Sequence, residues 1–157
     1  MIAMAALVGI CAGLLQSGPL AVLGDGGAAV ALPGALAAGW AAVRGPREAV
    51  ALAFAAAAVL GSLSEARVGL FALALLPAVA AGTLAAVDVP GRRTRSLRAA
   101  LAGVWAGAGY LAVLAAAAGD LPTGTALVWG ICVAAFVAGL TCAAMFPLRP
   151  HDRRLFA

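Results

Sequence analysis

Few residues in this chain can do chemistry, and their spacing keeps them apart. The acids are Asp25, Glu48, Glu65, Asp88, Asp120 and Asp152, and the one histidine is His151. Every acid falls at the end of a long apolar run, none near its middle. A proton-coupled carrier needs an ionisable group close to the bilayer midplane, so that class is disfavoured. No Ser and His arrangement would serve an intramembrane hydrolase. His151 reads as a solvated tail residue near lipid headgroups. Cys11, Cys132 and Cys142 lie inside apolar runs, with no CxxC spacing, and read as buried structural thiols. The expectation is no catalytic residue, no metal ligand and no cofactor. A pocket for an uncharged substrate stays open, because backbone and aromatic groups can form one.

What separates these residues is more informative than the residues themselves. Long stretches carry no Arg, Asp or Glu, and the mean hydropathy is +1.09. About 20 apolar residues span a bilayer's hydrocarbon. Hydrophobic residues make up 65% of the 157, and charged ones 10%, far from the globular norm. The chain therefore reads as one all-α membrane domain over 1–157, a compact bundle of six transmembrane helices. The expected spans cover 2–23, 28–43, 49–63, 68–87, 99–118 and 123–146. Gly18-Pro19 should interrupt the first. The second and third are short. Ala and Gly dominate throughout, which lets helix backbones approach closely where packing, rather than water expulsion, holds helices together.

The net charge of +4 comes wholly from Arg, since there is no Lys. The arginines sit in short connections beside spans, where topology and anionic lipid explain them better than nucleic acid. With six spans, nine of the ten fall on one side: Arg44, Arg47, Arg92, Arg93, Arg95, Arg98, Arg149, Arg153 and Arg154. Only Arg67 falls on the other. The positive-inside rule then puts both termini in the cytoplasm. The clusters at Arg92, Arg93, Arg95 and Arg98 and at Arg149, Arg153 and Arg154 are candidates for anionic lipid.

Other positions invite partner contacts. Gln16 is the only Gln and lies well inside a span. It suits a hydrogen bond to a neighbouring helix or to a partner chain. Gly9 and Gly13, and Gly103 and Gly107, form small-xxx-small pairs; internal packing and dimer contacts both fit them, internal packing better. Gly61 is a further small-residue candidate. Glu65 and Arg67 could meet a partner outside the membrane or pair with each other or Asp120. Trp105, Tyr110 and Trp129 lie inside spans, filling gaps or lining a cavity. Trp40 reads as an interfacial anchor.

The run LLQSGPL in the first span, followed by AAVRGPREAVALAFAAAAVLGSLSEARVGLFALAL, resembles the bacterial rod-shape-determining protein MreD family. The matching positions are Gln16 and Ser17, Gly45 and Pro46, Gly61 to Glu65, and Gly69, with a similar ending after MFPLRP. Glu65 stands where that family usually has Asp. Gly24-Asp25-Gly26-Gly27 replaces the Pro-Asp that often opens the second span. The resemblance implies a non-enzymatic subunit of the cell-elongation machinery in the bacterial inner membrane. It would bind the single-span protein MreC and, through it, bear on a glycan polymerase and a penicillin-binding transpeptidase. It also implies a fold similar to the six-helix substrate-binding subunits of energy-coupling-factor transporters. The alternatives are a capture subunit for a vitamin-sized molecule, or an accessory subunit of another membrane complex. A capture subunit needs a polar-lined pocket near the outer face; a scaffold needs a filled interior and a lipid-facing groove for a partner helix.

Overall fold

The computed structural model describes residues 1–24, 27, 29–64, 68–86, 92–118 and 124–148, with the side chains of 117 and 118 left aside. Among these residues there are helices and no strands. In chain order they are α1 (Ile2–Ser17), α2 (Pro19–Val22), α3 (Leu32–Arg44), α4 (Pro46–Leu63), α5 (Val68–Ala86), α6 (Arg92–Ala118) and α7 (Thr125–Met145). A 3-10 turn, Phe146–Leu148, closes α7. Five stretches are long and apolar enough to cross a membrane: Ile2–Val22, Pro46–Leu63, Val68–Ala86, Arg92–Ala116 and Thr125–Leu148.

The exception is α3. Thirteen residues at 1.5 Å each give about 20 Å, short of a hydrocarbon core of about 30 Å. Within the apolar run expected to be helical over 28–43, α3 begins at Leu32, and Ala29, Val30 and Ala31 are not helical. Pro33 suits this start, because a proline in the first turn lacks an N–H that the helix could not use.

Instead of lying at the edge, α3 is the axis of the fold. It packs against α1, α4, α5, α6 and α7, which surround it in that order. Pro33, Gly34, Ala35 and every residue from Ala37 to Val43 are buried. Such a position demands small side chains on all faces. A Cβ on Gly82 of α5 would collide with the Ala38 carbonyl, and one on Gly39 would stand 2.6 Å from the Ala138 carbonyl of α7. These backbones are close enough for dispersion contacts to accumulate without a hydrophobic drive.

The surrounding ring is open between α1 and α7. Elsewhere it is closed, α1 on α4, α4 on α5, α5 on α6 and α6 on α7. Directions follow from which residues meet. Gly9 and Gly13 of α1 sit on Leu52 and Val59 of α4, so these two run parallel. Gly39 meets Ala138 and Thr141, and Gly130 meets Ala29, so α3 and α7 also run parallel. The start of α1, the end of α3, the start of α6 and the end of α7 therefore gather at one end of the bundle. Many bulky residues point outward: Leu7, Leu73, Leu84, Trp105, Trp129 and Phe136 are exposed, as lipid-facing residues should be, while Trp40, Leu52, Phe71, Leu75 and Tyr110 are buried.

Candidate functional site

A helix held in the middle of an apolar bundle has a problem at each end. Its first N–H groups and last C=O groups have no intrahelical partner, and burial makes each orphan costly. Two buried polar side chains meet these demands: Gln16, 6% exposed, and Arg95, 4% exposed.

Gln16 stands near the end of α1, just before Gly18 and Pro19 divide α1 from α2. Its Oε1 accepts from the Leu32 N–H at 3.2 Å, the first N–H of α3. Its Nε2 donates to the Gly27 carbonyl at 3.5 Å, a long bond. One amide therefore serves the irregular backbone leading into α3. Non-helical backbone inside a membrane protein is tolerated where protein covers it and satisfies it, and Ala29, Val30 and Ala31 are all buried, as is Gly27.

At the other end of α3, Nη1 of Arg95 donates to the Ala42 carbonyl at 3.2 Å, and the Gly45 N–H donates to Ala41. A guanidinium there also complements the helix dipole. Arg44 adds a second cation. Its Nε and Nη2 donate to the two oxygens of Glu48 at 3.2 and 3.0 Å, and its Nη1 to the Leu148 carbonyl at 2.6 Å. Trp40 donates Nε1–H to the same carboxylate at 3.0 Å. The two-pronged Arg44–Glu48 pair, mostly sheltered, joins α3, α4 and the end of α7. Bidentate geometry makes such a pair stronger and more specific than a simple surface contact. The turn between α3 and α4 rests on Gly45, whose φ of 94° lies in the left-handed region that favours glycine.

These contacts revise several expectations. Trp40 is not an interfacial anchor; it is 3% exposed, and its indole is tied to Glu48 inside the bundle. Arg95 turns inward to α3 and does not face lipid. The reason is that α6 begins at Arg92, ahead of the expected span at 99, so this arginine belongs to a helix and not to a loop. Gly9 and Gly13 follow the preferred reading of their pair, internal packing: a Cβ on Gly9 would strike the Leu52 carbonyl, and one on Gly13 would lie 2.9 Å from Val59. Half-buried Gly61 packs within the chain too, where a Cβ would lie 2.5 Å from Val68. Gly103 likewise packs on Ala134 of α7. Of the thiols only Cys142 is buried; Cys11 and Cys132 face outward. Trp105 and Trp129 fill no interior gap and project from the ring, whereas Tyr110 is buried.

Arg92, Arg93 and Arg98 are exposed on the first turns of α6. Asp25, Glu65, Arg67, Asp88, Asp120, Arg149, His151, Asp152, Arg153 and Arg154 lie outside the described residues. Among the described residues no group of His, Cys, Asp and Glu could hold a metal ion. The Trp40, Arg44 and Glu48 cluster had one sequence signal, the four-residue spacing of Arg44 and Glu48 across Gly45-Pro46.

The surface carries apolar grooves. One of about 510 Å³ occupies the opening between α1 and α7, walled by Leu15 and Pro19 on one side and Trp129 and Val133 on the other. Another of about 740 Å³ lies between α5 and α6, beside Pro77 and Trp105. A third of about 560 Å³ follows the α6–α7 seam. No family model matches the chain, and neither a curated protein nor a solved structure matches it.

Proposed function

We propose that this protein is a non-enzymatic scaffold subunit in the bacterial inner membrane, acting in the cell-elongation complex as an MreD-like protein. In this reading α3 and its buried lead-in form a sixth crossing, completing a six-span bundle like the capture subunits of energy-coupling-factor transporters. The arginine-rich end faces the cytoplasm by the positive-inside rule, with both termini there. The partner is a single-span MreC-like protein, and through it a glycan polymerase and a penicillin-binding transpeptidase.

The observation that carries the reading is the filled centre. The axis that a capture subunit would need for a ligand holds α3, buried along its length and, Trp40 apart, mostly through small side chains. The Gln16 amide and the Nη1 of Arg95, at the two ends of that axis, are engaged with backbone. The ring of helices itself stays open at a lateral apolar seam between α1 and α7. A transmembrane helix laid there would close the ring by packing, the force that joins helices in lipid.

The test is crosslinking in native membranes from Val133→Cys, in the seam, and from Leu73→Cys, on the exposed outer face of α5. The reading expects Val133→Cys to capture a single-span chain and Leu73→Cys to capture none. Equal capture from both positions, or none from either, contradicts it.

A further inference from the structure

We propose that the groove between α6 and α7 is a binding site for one anionic phospholipid, with its phosphate between Arg92 and Arg93 and an acyl chain along the seam. The site lies apart from the α1–α7 opening and does not depend on the partner reading.

Both arginines are exposed and line the mouth of the groove together with Ser96. Among the described residues neither takes part in an ion pair, in contrast to Arg44. From this mouth the groove runs inward to Ala100, eight residues along α6, or about 12 Å. Its floor has almost no side chain. A Cβ on Gly139 would sit 3.2 Å from the Ala100 Cβ and 3.3 Å from the Ser96 carbonyl, so the two helices nearly touch there. Its walls are bulky and exposed: Leu97 from α6, Phe136 and Leu140 from α7. A smooth apolar trough leading away from two guanidinium groups matches a molecule with an anion at one end and a hydrocarbon chain at the other. A partner helix would have to bring its own acid to the mouth. A phospholipid carries both parts, and guanidinium suits phosphate by its paired N–H groups.

The consequence is a lipid held in register with α6, the helix whose Arg95 caps α3. Occupancy would brace the α6–α7 seam at the same end of the bundle where Arg44 reaches Leu148.

Native mass spectrometry of the purified full chain, with phosphatidylglycerol or phosphatidylcholine added, tests the proposal. One lipid should bind, with phosphatidylglycerol preferred. The R92Q/R93Q double variant should weaken phosphatidylglycerol binding roughly 30-fold, taking about 1 kcal/mol for each arginine near the surface. Ala143→Trp, which fills the groove near its mouth and leaves both charges in place, should also weaken it. Arg47→Gln removes an exposed arginine at the same end but off the groove; it should leave binding within roughly twofold, since it removes none of the groove's phosphate contacts. The proposal is overturned if Arg47→Gln costs as much per charge as the double variant, or if Ala143→Trp has no effect. It is equally overturned if the two lipids bind alike, or if Leu97→Cys crosslinks to another protein chain in native membranes.

Discussion

Replacing Gln16 with Met removes the amide from the α3 entry while keeping side-chain length. The Leu32 N–H then loses its acceptor at 3.2 Å in a site where Gln16 is 6% exposed. An orphaned donor costs about 1–3 kcal/mol when fully buried, and the Leu32 N–H is part-buried. The bond to Gly27, at 3.5 Å, is too long to add much. Against this stands the experience that interhelical hydrogen bonds in membranes average only about 0.6 kcal/mol, because the unfolded state in lipid also finds partners. Leu32 differs from that average because it begins a helix, and its N–H has no acceptor within α3. The expected loss is about 1–2 kcal/mol. It should appear as a lower midpoint in reversible unfolding in mixed micelles, followed by tryptophan fluorescence. Amide exchange at Leu32 should quicken in the folded variant, a local effect that a general loosening would not single out. A stability change below about 0.5 kcal/mol, the range of ordinary surface substitutions, with Leu32 exchange unchanged, would refute the idea that Gln16 holds the start of α3.

Other consequences follow from the same packing. Gly82→Leu should prevent assembly, because even a Cβ there meets the Ala38 carbonyl of α3; loss of the monodisperse peak in detergent chromatography checks this, with Leu84→Ala on the exposed face as the harmless counterpart. Trp40→Phe should destabilise by about 1–2 kcal/mol by losing its bond to the Glu48 carboxylate, while Trp105→Phe, 72% exposed, should shift stability by less than about 0.5 kcal/mol; paired unfolding curves decide. Thiol labelling of Ser64→Cys and Arg93→Cys in sealed vesicles, with the native cysteines removed, should proceed from opposite faces of the membrane. Labelling of both from one face would sink the proposed topology.

Much of this architecture is legible in the chain, and the remainder is hidden for a physical reason. The stretches around α5 and α7 announce themselves by length and hydropathy, the one around α4 by hydropathy alone, and Gly18-Pro19 marks the break after α1. The position of α3 does not announce itself, since lipid and protein interior both accept apolar residues. Hydropathy alone cannot say which of them surrounds a helix. The remaining signal is side-chain size: α1 carries Leu7, Ile10 and Leu14 outward, whereas α3 has Ala and Gly on nearly every face. The same ambiguity hid the inward turn of Arg95. In an arginine cluster, only the helical register set by an early α6 start decides which side chain meets the core. Trp40 misleads because an indole near a charged turn is common at membrane interfaces; its bond to Glu48 depends on the Gly45 turn folding α4 back beside α3.

The most direct test of the scaffold reading is mass spectrometry of the protein recovered from its own membranes in mild detergent, with both its protein partners and its small-molecule content measured. A scaffold should be recovered in a stable complex with a single-span MreC-like chain, accompanied by a glycan polymerase and a penicillin-binding transpeptidase, and with no vitamin-sized ligand. Recovery of the chain without a single-span partner and carrying one equivalent of a vitamin-like molecule would contradict it.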